Sequence, residues 1–267
     1  MRNIIVRSIS GLVYAIIFIA AILFSAESYI ALIAIFSTIC VFEFSRILQL
    51  KNILPYLILA LFIYASVVKI PSDFNGFLIG FSFASLLGLL YYLISTKVIK
   101  TNNSLQKIFL HLIYLILPFY FLIKLPFIEN TYHPTIIIYI ILMIWTNDSF
   151  AFIVGKNFGK HKLFESVSPK KTIEGFIGGL LFAVLAGFLI GKFGEYPNSF
   201  SILNWILIAI IVAVFGSLGD LVESKFKRQA NVKDSGKIMP GHGGLLDRLD
   251  SLFFLAPFIY LYLHYII

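Results

Sequence analysis

Apolar residues in this chain come in long runs, interrupted by short polar segments. A helix that crosses a bilayer needs roughly 20 mostly apolar residues. Nine runs approach that length, at about 9–25, 28–45, 53–70, 76–95, 105–123, 134–154, 173–192, 201–219 and 248–267. Only Ala26-Glu27-Ser28 separates the first two, and Pro55 falls where the first turn of a helix tolerates it. The basic start, Met1 to Arg7, resembles the head of a signal peptide, but the apolar run behind it reaches Phe24 with no small-residue cleavage site, so it reads as a retained first helix. The expectation is an all-α integral membrane protein with about nine transmembrane helices. It forms a single polytopic membrane domain, 1–267, in which 1–140 are plain N-terminal helices and 141–255 carry the polar motifs.

Composition excludes an ordinary soluble fold. The chain is 60% hydrophobic and 13% charged, with mean hydropathy +0.95, against about 25% charged residues in soluble domains. The formal net charge of +8 would suit a nucleic-acid partner, but the charges sit in short segments between apolar runs, which is the pattern of membrane topology. With the N-terminus inside, 18 of the 21 Lys and Arg residues fall in inner segments, leaving Lys69, Lys124 and Lys192 outside. That bias predicts a cytoplasmic N-terminus and an outside C-terminus. Cys40 is the single cysteine, so neither an internal disulfide nor a thiolate metal cluster is available.

Two inner segments, about 155–172 and 220–247, are long and dense in Gly, Lys, Asp, Ser and His. The second begins at Asp220, at the inner end of the eighth run, and leads through Lys225, Lys227, Arg228, Lys233 and Lys237 to Gly241-His242-Gly243-Gly244. Asp247 and Asp250 follow, three apart at the start of the ninth run, a spacing that puts both on one helix face. Carboxylates beside a glycine-rich turn suit Mg²⁺, which takes a few carboxylates plus substrate phosphates. The interleaved cations suit a polyphosphate, and the glycines let the backbone approach it. The plain alternative is a charged cytoplasmic loop; it accounts well for single lysines and poorly for acids at span ends.

In the other segment, Asn147-Asp148-Ser149 lie inside the sixth run, where an acid signals function, unless the patch only glues helices together. Gly155, Gly159 and Lys160 fail as a phosphate-binding P-loop, because the glycines are one residue too close and His161 replaces the required Ser or Thr. Ser168-Pro169-Lys170-Lys171-Thr172 reads as an anion-binding turn with Thr172 as a helix cap, and Gly175, Gly178 and Gly179 read as close-packing positions. Glu43 ends the second run, either as a partner of Arg46 or as part of the site.

Ser224 to Asp250 resembles the signature of the phosphatidate cytidylyltransferases, the CDP-diglyceride synthetases. Ser224, Phe226, Lys227, Arg228, Lys233, Asp234, Gly236, Pro240, His242, Gly243, Gly244, Leu245, Asp247, Arg248, Leu249 and Asp250 match it, and Met239 departs from its usual Leu, Ile or Phe. Asn147, Asp148 and Ala151, and Ser168 to Gly175, match upstream blocks, so the resemblance covers roughly 141–255. It implies CTP and phosphatidate as substrates, CDP-diacylglycerol and pyrophosphate as products, Mg²⁺ dependence, a homodimer and a bacterial inner-membrane location. Similar families also implicate a monovalent cation such as K⁺.

On that resemblance a phosphate oxygen of phosphatidate attacks the α-phosphorus of CTP. Asp220 and Asp247 are the first-choice metal ligands, with Asp250 and Asp148 behind them. Lys227, Arg228, Lys233 and Arg248 neutralise phosphates, and His242 positions a group or balances a proton. Ser168, Lys170 and Lys171 hold the lipid headgroup or part of the nucleotide, with Asn147, Ser224, Gly243 and Gly244 also on the substrate side. Other CTP-using membrane enzymes, such as polyprenol kinases, are the near alternative. A transporter is the distant one, disfavoured because nine of 13 acids fall in the inner region and no half-to-half repeat is evident.

Overall fold

The computed structural model describes residues 2–68, 71–95, 99, 103–196 and 200–267, without the side chains of 2–8 and 72. Lys69, Lys97 and Lys100, which enter the charge count, lie outside the described residues, as do the side chains of Arg2 and Arg7. The helices are α1 (Arg2–Phe24), α2 (Ala26–Ile47), α3 (Leu54–Val67), α4 (Ser72–Ile94), α5 (Ser104–His111), α6 (Leu117–Lys124), α7 (Pro134–Phe158), α8 (Ile173–Phe193), α9 (Ile202–Gln229) and α10 (Leu246–Tyr265). A π-helical turn, Leu112–Ile116, joins α5 and α6 into one rod. It sits just before Pro118, whose missing N–H and bulky ring would break regular α-helical bonding.

Among the described residues six helices are long and apolar enough to cross a membrane: Ala26–Ile47, Asp73–Ile94, Ser104–Lys124, Pro134–Phe158, Ile173–Phe193 and Ile202–Gln229. Ile9–Phe24 and Leu54–Val67 are shorter apolar helices. Successive rods alternate in direction. At one end the Tyr29 hydroxyl donates to the Leu122 carbonyl, Tyr132 to Ile22, the Asn75 amide to Tyr260, and Tyr139 to Glu195. At the other end Lys225 of α9 donates to the carbonyls of Tyr92 and Ser95, and Ser10 of α1 to Pro240. Two antiparallel hairpins depart from an all-helical reading: β1 (Phe127–Ile128) with β2 (Thr131–Tyr132), and β3 (Lys162–Phe164) with β4 (Ser168–Thr172).

Helices α7, α8, α9 and α10 pack in succession through close backbone approaches. A Cβ on Gly178 would stand 2.6 Å from Val154, on Gly187 2.6 Å from the Trp205 carbonyl, and on Gly219 2.6 Å from Phe254. Small residues let backbones meet where lipid offers no hydrophobic drive. The interior is dense in aromatics, with Tyr29, Tyr114, Phe119, Trp205 and Phe253 fully buried. Large apolar side chains such as Phe152 (68% exposed), Leu181 and Leu203 cover the outer surface, as bilayer-facing helices require.

Candidate functional site

The polar motifs meet at one end of the bundle. Helix α9 does not stop where hydropathy falls at 219; it continues to Gln229, because Glu, Lys, Arg and Gln are good helix formers. Asp220 is therefore within α9, and Asp220, Glu223 and Lys227 form a stripe at i, i+3 and i+7. Gly219 brings that stripe against α10: a Cβ there would lie 2.9 Å from the Asp250 carbonyl. Carboxylate oxygens of Asp220, Glu223 and Asp250 consequently converge within 4.8 Å of one another. Lys171 of β4 pairs with Asp220 at 2.6 Å, Ser224 donates to Asp220, and Lys227 pairs with Glu223.

Asp247 has a different setting from Asp250. Its Oδ1 accepts from Lys227 at 2.6 Å, while Oδ2 accepts the Gly244 amide at 2.8 Å and the Ser235 hydroxyl at 3.0 Å. It thus ties the loop to α9 and α10. Glu43 of α2 is fully buried and does the same from the other side, accepting from the amides of Leu245 and Leu246 and sharing the single Ser235 hydroxyl proton with Asp247. Of its two sequence readings, support of the site fits and pairing with Arg46 does not. Gly244 is required there: a Cβ would come within 2.0 Å of the Ser235 hydroxyl and 2.5 Å of Glu43.

The glycine turn closes on itself through Met239 and Gly243, with Gly241 and Gly243 at φ 77° and 97°, in the left-handed region that favours glycine. Arg248 holds the His242 carbonyl at 3.0 Å. The turn, with Lys233 and Lys237, lines a cleft of about 620 Å³. That cleft shares Asp234, Met239, His242 and Arg248 with a second of about 470 Å³, which reaches Asp148, Asp220, Glu223, Asp247 and Asp250. A third hollow of about 440 Å³ lies between α7 and α8. Ala151, Phe152, Leu163 and Phe176 form its apolar wall, Lys156, Lys170 and Lys171 its charged rim, and it meets the second cleft at Asp148 and Asp220.

Asn147 is buried in the α7–α8 contact, its amide donating to Asp148 and its Oδ1 without a hydrogen-bond donor. Ser168 to Thr172, expected as a turn, is strand β4, and Thr172 caps α8 through the Gly175 amide at 3.1 Å. Gly175, Gly178 and Gly179 serve close packing, as expected. Arg228 turns away to the carbonyls of Val167 and Val232. Sequence reasoning passed over Glu223, Tyr14 and Ser10; the first had a visible signal, three residues after Asp220 and four before Lys227.

Within the described residues, the converging set of three carboxylates is all oxygen donors, and Glu223 Oε1 has no protein hydrogen-bond donor. Such a set fits a hard divalent cation. Six acids line the 470 Å³ cleft against Lys227 and Arg248, so added positive charge is favoured there.

The family model described as "Cytidylyltransferase family" matches residues 5–266. The phosphatidate cytidylyltransferase of Bacillus subtilis (strain 168) is 38% identical over 262 residues, covering 95% of each chain. That of Staphylococcus saprophyticus is 33% identical over 263 residues, covering 95% of this chain and 96% of the relative. Over a shorter stretch of 123 residues, 46% of each chain, the Staphylococcus haemolyticus enzyme of the same name is 49% identical. With the match running almost end to end, this chain belongs to the cytidylyltransferase family.

Proposed function

We propose that this protein transfers the cytidylyl group of CTP to phosphatidate, giving CDP-diacylglycerol and pyrophosphate, at the cytoplasmic face of a bacterial cell membrane. The observation that carries the reading is the meeting of a basic, polar cleft and a lysine-rimmed apolar hollow at one carboxylate cluster. A nucleoside triphosphate suits the first, and a phosphate on two acyl chains suits the second. The alternating rods, with Lys and Arg concentrated at the cleft end, support nine crossings with the N-terminus inside.

Lys233, Lys237, His242 and Arg248 bind the triphosphate of CTP, and Lys170 with Lys171 binds the phosphatidate headgroup. A phosphatidate oxygen attacks the α-phosphorus as the bond to pyrophosphate breaks. Phosphatidate is already ionised at neutral pH, so no general base is needed. Asp220, Glu223 and Asp250 would hold Mg²⁺, with Asp148 facing the same cleft; Asp247 instead organises Lys227 and the glycine turn. The cation would neutralise phosphate oxygens in a reaction governed by positioning and charge. A homodimer and a monovalent cation belong to the same proposal; the carboxylate excess supports the second cation.

The purified protein in lipid–detergent micelles, given radiolabelled CTP, phosphatidate and Mg²⁺, will move label into the lipid phase. Label independent of phosphatidate, or indifferent to EDTA, would refute the reading. Transfer to an isoprenoid alcohol instead would reassign the hollow. A conduit would need charges spread through the bilayer midplane, whereas this site sits at one end of the bundle.

A further inference from the structure

Helix α1 carries no motif, yet it forms one wall of the carboxylate cleft through Gly11, Tyr14 and Ala15. The Ser10 hydroxyl lies 2.8 Å from His242 Nδ1 and 2.9 Å from the Pro240 carbonyl, across 232 and 230 residues of sequence. Gly11 packs against the same ring, since a Cβ there would stand 3.3 Å from His242 Cε1. The turn that carries His242 closes on itself through Met239 and Gly243 and is anchored at its end by Asp247. Arg248 tethers its backbone, and Ser10 meets the imidazole itself.

We infer that Ser10 is a positioning residue for the reaction: α1 fixes the orientation of the His242 ring, and with it the CTP end of the cleft. The inference rests on the role given to His242 above. An imidazole on a two-glycine turn loses definition of its rotamer when the Ser10 tether goes. Helix α1 is thereby a component of the active site and not only a membrane anchor.

The test is a double-mutant cycle in the full-length enzyme, with CTP and phosphatidate titrated separately. Ser10→Ala should lower kcat/KM for CTP by about tenfold, the upper worth of one net hydrogen bond, and leave KM for phosphatidate unchanged. Ser10→Thr should restore the rate, and Ser10→Ala should cost nothing further in a His242→Asn background. Gly11→Val, which displaces the ring without touching Ser10, should weaken CTP use in the same way. Additive losses, or a Ser10→Ala enzyme at wild-type rate beside a slow His242→Asn enzyme, would overturn the inference alone. A His242→Asn enzyme at wild-type rate would overturn the role of His242 itself. Equal losses for both substrates, tracked by lower thermal stability, would reduce Ser10 to a packing residue.

Discussion

Glu223→Gln should separate stability from activity in opposite directions. The three carboxylates of the cluster lie within 4.8 Å, so each pair repels by about 3.5 kcal/mol at an effective dielectric of ~20. Glu223 belongs to two of the three pairs, so neutralising it relieves about 7 kcal/mol on that scale. Against this stands its attraction to Lys227, of about the same size for so close a pair. Lys227 keeps Asp247 as a partner, so no cation is orphaned. Because 4.8 Å is the outer limit of the carboxylate separations, the balance favours the variant slightly in the absence of metal. Turnover should nevertheless fall at least 100-fold, since even partners that only orient metal ligands cost about 10–100-fold. The assay is thermal unfolding in detergent with EDTA or Mg²⁺, beside cytidylyl transfer. Wild type should be stabilised by Mg²⁺, and the variant should start higher in EDTA and gain less. A variant that melts lower in EDTA yet turns over normally would make Glu223 a structural counter-ion and dissolve the proposed metal set.

Asp220→Asn should abolish transfer while leaving membrane insertion intact, and a near-normal rate would remove Asp220 from the chemistry. Lys227→Met strips the cation from two buried carboxylates, Glu223 and Asp247, and should destabilise the protein by about 3–5 kcal/mol, read by thermal unfolding. Gly244→Ala should collapse both expression and activity, because its Cβ would overlap Ser235 and Glu43; a well-folded, active variant would contradict the packing of that turn. Lys170→Ala should raise KM for phosphatidate and spare KM for CTP, with Lys237→Ala doing the reverse. The opposite pattern in steady-state titrations would exchange the two clefts.

The helical architecture was legible because a bilayer demands long apolar runs, and the runs can be read directly from the chain. Span ends were less legible. Asp220 was placed at a helix end because hydropathy falls there, but backbone hydrogen bonding is indifferent to polarity, and α9 continues to Gln229. Strand β4 was hidden because five residues containing a proline look like a turn until β3 supplies the partner. Asp220, Asp148 and Asp250 were visible as acids in improbable places. Glu43 was visible only with two roles open, and Ser10 not at all, since one polar residue in or beside an apolar run gives no spacing to read. Only the three-dimensional meeting of α1 and α2 with the loop before α10 gives them their roles.

The acids at this end of the bundle divide into two kinds, and the division argues for what the site is. Glu43 and Asp247 are saturated by protein donors: the amides of Leu245, Leu246 and Gly244, the hydroxyl of Ser235, and Lys227. A buried carboxylate so supplied holds structure, and here it holds the start of α10 and the glycine turn in place. Glu223 leaves one oxygen with no hydrogen-bond donor, and Asp250 takes the Ser251 amide. Both are buried and face Asp220. Folding alone gives no reason to bring like charges together in a place where desolvation is expensive, and apolar residues of similar size would pack there at less cost. The saturated acids build a rigid rim around the unsaturated ones, which is the arrangement expected when the missing positive charge arrives with a substrate.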